Sequence, residues 1–457
     1  MVPFPANYTC SIQFNIPLGY VVKFNVETTA FGGPGDDSII IYDSATLGHD
    51  LNLGQTTFYA PANTSTVKII TFTDTSAFAF TWEYQDVSHF GQFQDSTGYA
   101  MQMQLLPKYY YLFTSIRGPI TFHTANINHM RDVSLASIYV YDGSDLTAPY
   151  IGNLLTLSDL PSWKTSGKAL VLVNYYNDTS ISYGISNDYD AISGFALYNF
   201  WLLTTAQAGS IQLGAQAGSS VAATYYCVDS TETYITSMSV SQNGISPSQS
   251  AIFQPMSPTL SQEALLGFTP SQEYSSYMPQ QIPGRMFTMV STSVTVSASF
   301  VSGPFADWFK ATPGRKGIIF SPSVWDPISP AAYSTNFTSS NMVTFNFNLD
   351  NVVVAAAGEK IDIVVGSPNS NPLVTEFSKT STNVGSRSAN GTYMSTVYTG
   401  KSNKSMFVLQ FDIATANPSP NPSTTSRPIV TTTSPSAQTF NLKLALLVLT
   451  LFKVFMN

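Results

Sequence analysis

The chain has 457 residues, of which 10% are charged, and a formal net charge of −8. That length calls for several cores rather than one, and so few Lys and Glu residues argue for hydroxyl-decorated sheets over exposed helices. The acidic balance offers no basic footprint for phosphates, which excludes nucleic acid as a partner.

The N-terminal Met1-Val-Pro-Phe-Pro shows neither a basic start nor an apolar run, so no secretory signal peptide is visible in the sequence. Apolar residues then alternate with polar ones, at Ile12, Phe14 and Ile16, at Val22, Phe24 and Val26, and at Phe78, Phe80, Trp82 and Tyr84. The same period of two returns at Val294–Phe300, at Val343–Leu349 and at Phe407–Ile413. It predicts strands. Helical spacing is confined to a short stretch over Ser261–Phe268. The fold class is all-β, with tandem antiparallel sandwich or jelly-roll modules. Gly32-Gly-Pro-Gly35 lies between strands and reads as a turn, not a phosphate cradle. Tyr109–Tyr111, Tyr175–Tyr176 and Tyr225–Tyr226 place rings on both faces of their strands, half for a core and half for contact.

A repeat is legible. Gly19 precedes Asp43, which follows Ser38-Ile-Ile-Ile-Tyr; Gly118 precedes Asp142, which follows Ser137-Ile-Tyr-Val-Tyr, at the same spacing. Asp74-Thr-Ser answers Asp178-Thr-Ser. An offset of about one hundred residues indicates tandem domains rather than a solenoid. The expected organisation is two similar modules at 1–90 and 91–203, an unassigned β region at 204–312 and a partial module at 313–414.

Residues 415–440 are rich in Pro, Ser and Thr and form an extended stalk. Residues 441–457 (NLKLALLVLTLFKVFMN) form an apolar tail helix. Small residues, a polar spacer and an apolar tail are the order of a GPI-attachment signal, with Ser434 as the lipid attachment residue and Ser423 as runner-up. Sequons at Asn7, Asn63, Asn177, Asn336, Asn390 and Asn403 are candidate glycosylation sites. Stalk, tail and sequons agree on an extracellular, cell-surface protein tethered to the membrane. Cys10 and Cys227 are the only cysteines; either they form one disulfide or both stay free.

The run from Cys10, C-S-I-Q-F-N-I-P-L-G-Y-V-V-K-F, resembles the opening of a CUB domain. So do the spacing of Asp37 and Asp43, and the acidic residues Asp74 and Asp178 after apolar strands. Gly317-Ile-Ile-Phe-Ser-Pro-Ser-Val-Trp-Asp-Pro327 is similar to the opening of a further such module. A standard CUB module has four cysteines, and this chain is closer to the cysteine-poor CUB-like domains of nematode secreted and GPI-anchored proteins. The resemblance implies calcium held by Asp37 and Asp74, with Gly32 where a glutamate belongs and Asp36 or Glu27 as substitutes. The alternative is that both aspartates cap turns. In the second block Asp178 remains, but Ala136 stands where the earlier aspartate would be.

No H-E-x-x-H, Cys/His ligand spacing or G-x-S-x-G elbow occurs around His49, His89, His123 and His129 or elsewhere. The expected function is surface recognition or adhesion toward a protein or glycan, with a role in defence or at epithelial surfaces implied by the resemblance. An extracellular enzyme seated in 204–414 is the second reading and a structural surface coat the third.

Overall fold

The computed structural model describes residues 3–416, apart from 30–35, 52–53, 161, 245, 247, 271, 330–331, 369 and 383. Ser434, most of the stalk and the tail helix lie outside the described residues.

The first sandwich is one sheet folded over itself. Its strands are β1 (Thr9–Thr28), β2 (Ser38–Tyr42), β3 (Gly48–Asp50), β4 (Gly54–Ile70) and β5 (Phe78–Asp86), in the order β3-β2-β4-β1-β5. β1 bends where its register with β4 shifts, between Ile16 and Val21. Pro17 has no N–H to give the ladder, and Gly19 takes φ +81°, which L side chains resist. The first half of β1 therefore pairs with 63–70, the second with 54–61 and with β5. The halves face each other, Phe14 meeting Phe24 edge-on at 4.9 Å. Ile16, Val22, Val26, Ile39, Ile41, Phe58, Val67 and Ile69 complete the core between them.

The second sandwich has β6 (Gly91–Ser96), β7 (Ala100–Gln102), β8 (Tyr109–Thr114), β9 (Ile120–Ala125), β10 (Ile138–Tyr141), β11 (Tyr150–Asn153), β12 (Ala169–Asn174) and β13 (Tyr183–Asp188). Its layers are β11-β10-β12-β8-β6 and β7-β13-β9. Here β8 and β9 take the places of the two halves of β1, and β10, β11, β12 and β13 those of β2, β3, β4 and β5. Gly19 and Gly118 both mark the break, Asp43 and Asp142 both end the β2-type strand, and Asp74 and Asp178 both follow the β4-type strand.

The third has β14 (Leu197–Leu203), β15 (Gly209–Gly214), β16 (Ser220–Cys227), β17 (Thr233–Gln242), β18 (Ser250–Pro255), β19 (Leu266–Phe268), β20 (Gln280–Ile282), β21 (Met286–Thr292) and β22 (Val294–Ser302). Its layers, β19-β18-β21-β16-β14 and β15-β22-β17-β20, repeat the second strand for strand, with β20 added. β14 pairs in parallel with β16, so this sandwich begins at Leu197 and not after residue 203. The helical spacing over Ser261–Phe268 gives a loop that ends in β19, because Leu266 and Phe268 are needed on one face of a strand beside β18.

The fourth has β23 (Lys316–Phe320), β24 (Tyr333–Val353), β25 (Ile361–Gly366), β26 (Leu373–Phe377), β27 (Ser381–Thr382), β28 (Ser386–Tyr398) and β29 (Met406–Thr415). Its order is β23-β29-β24-β28-β25-β26, with β27 on β24. Without β23 and β27 that is the order of the first sandwich, and β24 bends as β1 does, between Thr338 and Val343.

Candidate binding surface

In three sandwiches the loop after the β4-type strand is held by a carboxylate that precedes the β2-type strand. Asp37, just before β2, accepts from Phe72 N at 2.5 Å, Thr73 N at 3.0 Å and Thr73 Oγ1 at 2.6 Å. Burial works against its ionisation, but hydrogen bonds from Ser76, Thr73 and Phe72 outweigh it and hold the carboxyl at about 2. Asp132 precedes β10 through a 3-10 turn, Val133–Ser137. It accepts from Ser134 N at 3.0 Å and from Ser180 Oγ and Ser182 Oγ at 2.7 Å each. Burial again opposes and the serine hydroxyls again win, so its pKa is lowered. Glu359, before β25, accepts from Lys401 N and Ser402 N at 2.9 Å each, from Tyr398 OH at 3.2 Å and from Ser405 Oγ. The third sandwich joins β21 to β22 through Ser293 alone, at φ +54°, and has no loop to hold.

Asp37 thus serves as a turn-capping carboxylate, the second of its two readings. Asp74 is exposed on the same loop, and among the described residues no three His, Cys, Asp or Glu side chains gather to hold a cation. Chelation with EDTA is expected to leave the melting temperature unchanged; a drop reversed by calcium would favour the calcium reading. Ala136 does not mark a missing carboxylate in the second block, because Asp132 performs that role from four residues earlier. Asp132 and Glu359 were not singled out in the sequence. The signal available was a carboxylate ahead of the β2-type strand with Ser180 and Ser182, or Ser402 and Ser405, in the loop after the β4-type strand.

The Cys10–Cys227 disulfide is not formed. Both cysteines are free, Cys10 half-buried on β1 and Cys227 buried at the end of β16, in different sandwiches. The six sequon asparagines, Asn7, Asn63, Asn177, Asn336, Asn390 and Asn403, are all exposed. His123 is half-buried, edge-on to Tyr198 at 4.8 Å, and desolvation holds its pKa down at about 4, so it stays neutral at physiological pH.

Tyr175 and Tyr176 are spent on joining the first two sandwiches. Tyr176 OH receives Tyr59 N at 3.1 Å, and Tyr139 OH donates to Tyr59 O at 2.5 Å. Tyr175 OH and Tyr141 OH lie 2.8 Å apart. Tyr150 OH donates to Asp43 Oδ2 at 3.2 Å, and the same carboxylate receives Ala45 N and Leu47 N at 3.0 Å. These rings are cement rather than ligand contacts.

Other aromatics are left open. Phe78, Phe80, Trp82 and Tyr84 share one face of β5. Phe78 is buried, while Trp82 is 53% and Tyr84 43% exposed. Trp82 meets Phe14 at 5.5 Å and Phe80 at 5.8 Å, and Tyr84 OH donates to Asn15 O at 3.1 Å. Ile12, Leu18 and Tyr20 on β1 are exposed as well. The core of the first sandwich therefore runs out between β1 and β5 into a solvated aromatic patch. A shallow groove of about 550 Å³ on the third sandwich, between β17 and residues 272–278, holds hydroxyls, methionines and the single carboxylate of Glu273.

Residues 1–88 match the family described as the CUB-like domain. A search of curated proteins finds no match. Among solved structures, the CUB1-EGF-CUB2 domains of rat MASP-1 are 12% identical, with 47% of this chain and 99% of that one covered at a TM-score of 0.18. The corresponding human MASP-1/3 domains are 8% identical, with 40% and 94% covered at 0.17. An archaeal virus protein described by its triple jelly roll fold is 8% identical, with 91% and 84% covered at 0.14. At such scores these likenesses carry no argument of their own. The match to the CUB-like domain family spans the bent β1, its partner strands and the clamped loop, within residues 1–88.

Proposed function

We propose that this is an extracellular recognition protein that binds a protein or glycan partner through the first sandwich. The observation that carries this reading is the open patch of Trp82, Tyr84, Tyr20, Ile12 and Leu18 at the β1–β5 edge. Solvated aromatics grouped around a partly buried ring are the composition of contact hot spots. The CUB-like domain at 1–88 supports a binding role. Exposed sequons support passage through the secretory route, and the stalk and apolar tail support tethering by a lipid anchor at Ser434. A part in defence or at epithelial surfaces rests on the resemblance alone. The enzyme reading of 204–414 is not favoured by any arrangement of titratable side chains described above.

The test is a protein and glycan array probed with the full chain carrying a functional leader. Trp82→Ala and Tyr84→Ala are each expected to weaken the ligand found by on the order of tenfold, since a central hot-spot ring contributes at least about 1.4 kcal/mol. Binding unchanged in both variants would move the site elsewhere. On cells, a phosphatidylinositol-specific phospholipase is expected to release the protein; retention together with an epitope from 441–457 would mean a membrane helix.

A further inference from the structure

In the first and fourth sandwiches the chain lines the second half of the β1-type strand along its length. Residues 54–61 run beside 21–28, and residues 386–391 run beside 343–348, with β27 continuing along Asn351 and Val352. In the third sandwich the same lining stops after three residues. β20 pairs with 233–235 of β17, while residues 272–278, which lead into it, stand across a groove from the rest of that strand. The segment that fills this place elsewhere is thus accounted for here and takes another course. Among the described residues β22 alone pairs with 237–242, and no strand lies along the other side. Alternate residues of an antiparallel edge strand turn N–H and C=O away from the sheet, so this stretch presents a row of backbone donors and acceptors.

The edge lacks the usual protection. Residues 236–242 (TSMSVSQ) hold no charge and no proline, the devices that keep an exposed strand from pairing. The groove beside them, about 550 Å³, has an apolar lining of Met238 and Val240 from β17 and Met278 from the far wall. All three are half-buried and pack on the core of the third sandwich. Glu273, exposed on the far wall, is the one charge that lines it.

We infer that the 237–242 edge of β17 is a strand-addition site, and that its occupant is an extended peptide segment of a partner protein, with apolar residues at alternate positions and a Lys or Arg among them. Each part of that ligand has its counterpart in the groove. The edge backbone pairs with the peptide backbone, the two methionines and Val240 take the apolar side chains, and Glu273 takes the cation. A second copy of this chain is a poorer occupant, because its β17 brings its own 272–278 wall to the place where the other edge would have to enter. A glycan is poorer still. It has no ladder of N–H and C=O groups at strand spacing, and the ring that lines the groove, Tyr274, is buried with its hydroxyl donated to Thr269 O at 2.8 Å. The site is separate from the aromatic patch of the first sandwich and does not rest on it.

The probe is a displayed library of random decapeptides selected on the full chain, with the enriched sequences then synthesised. These are expected to alternate apolar and polar residues and to include Lys or Arg. Hydrogen exchange with saturating peptide is expected to slow the amides of 237–241 roughly fivefold. N-methylation of one alternate set of peptide nitrogens is expected to abolish the protection, and of the other set to leave it. Glu273→Lys is expected to weaken the peptide about threefold, the effect of an exposed ion pair, while Trp82→Ala keeps the protection intact. Strand addition is overturned if no enriched peptide protects 237–241, or if protection is indifferent to N-methylation of both sets. Unchanged affinity in Glu273→Lys overturns the basic residue. Protection that grows with protein concentration alone replaces the partner by a second copy, and protection by an arrayed glycan but by no peptide replaces it by a sugar. Protection lost in Trp82→Ala overturns the separation from the first sandwich.

Discussion

Glu359→Ala is expected to destabilise the fourth sandwich by roughly 3 kcal/mol at neutral pH, the range for a buried charge stripped from its donors. The carboxylate is 6% exposed. It gathers two backbone amides of the loop after β28, the Ser405 hydroxyl and the Tyr398 phenol. Without it those donors stay inside a cavity too confined to rehydrate all of them. The Ser405 hydroxyl is the foremost reason its pKa falls from 4.5 to about 2, burial opposes, and the Ser402 and Lys401 amides add to the fall. A group whose pKa drops on folding stabilises fully above its unfolded value and loses that contribution as pH falls through its folded value. The gap between wild type and variant should therefore be widest above about pH 4.5 and close toward pH 2. Asp37, at about 2 against an ordinary 3.8, adds acid sensitivity over a similar window. Asp37→Ala should cost less, roughly 1.5 kcal/mol, because Phe72 and Thr73 are exposed and water can reach the freed amides. Urea titrations at pH 6, 4 and 2.5 read both variants. A gap for Glu359→Ala that is small, or that stays constant with pH, would mean the clamp is ornamental.

The strands were legible wherever one face was buried and the other wet. Phe14 and Ile16, Val22 to Val26, Val294 to Phe300 and Phe407 to Ile413 alternate because each is half of such a sandwich. The first repeat was legible because its landmarks are backbone-determined: a break in the β1-type strand and an aspartate at a hairpin. The third sandwich hid its kinship. β16 is covered on both faces, so Val221-Ala-Ala-Thr-Tyr225 reads as a continuous apolar run with no period. It also lacks the clamped loop, and with it the acidic landmark that Asp74 and Asp178 provide. The second clamp was hidden by the inserted turn at Val133–Ser137, which moves Asp132 out of an ungapped match. Tyr175 and Tyr176 read as one ring for a core and one for contact with a partner. Sequence has no means of showing that the partner is the neighbouring sandwich, since Tyr59 lies more than a hundred residues away.

Trp325→Ala is expected to cost roughly 4 kcal/mol, the figure for truncating a fully buried tryptophan, and to weaken two sandwiches at once. Trp325 lies in the short helix Pro322–Trp325 that follows β23, yet its ring belongs to the core of the third sandwich, edge-on to Phe320 at 5.6 Å. The exchange is reciprocal: Tyr234 of β17 is buried in the core of the fourth, 5.9 Å from Trp308 and 5.7 Å from Phe305. Polar groups cross the same boundary. The Gln280 side chain brackets the backbone of Ile318, giving to its carbonyl at 2.7 Å and receiving its N–H at 3.0 Å. Arg315 donates to Trp308 O at 2.7 Å within the fourth sandwich and to Pro279 O at 3.4 Å in the third. Cores that share side chains in both directions open together, because neither can close its own interior without the other. Hydrogen exchange of the full chain should therefore show β16–β22 and β23–β29 losing protection by similar factors in Trp325→Ala, while β1–β5 keeps its rates. Loss confined to β16–β22, with β23–β29 unchanged, would make the third and fourth sandwiches independent folding units and the shared side chains mere packing.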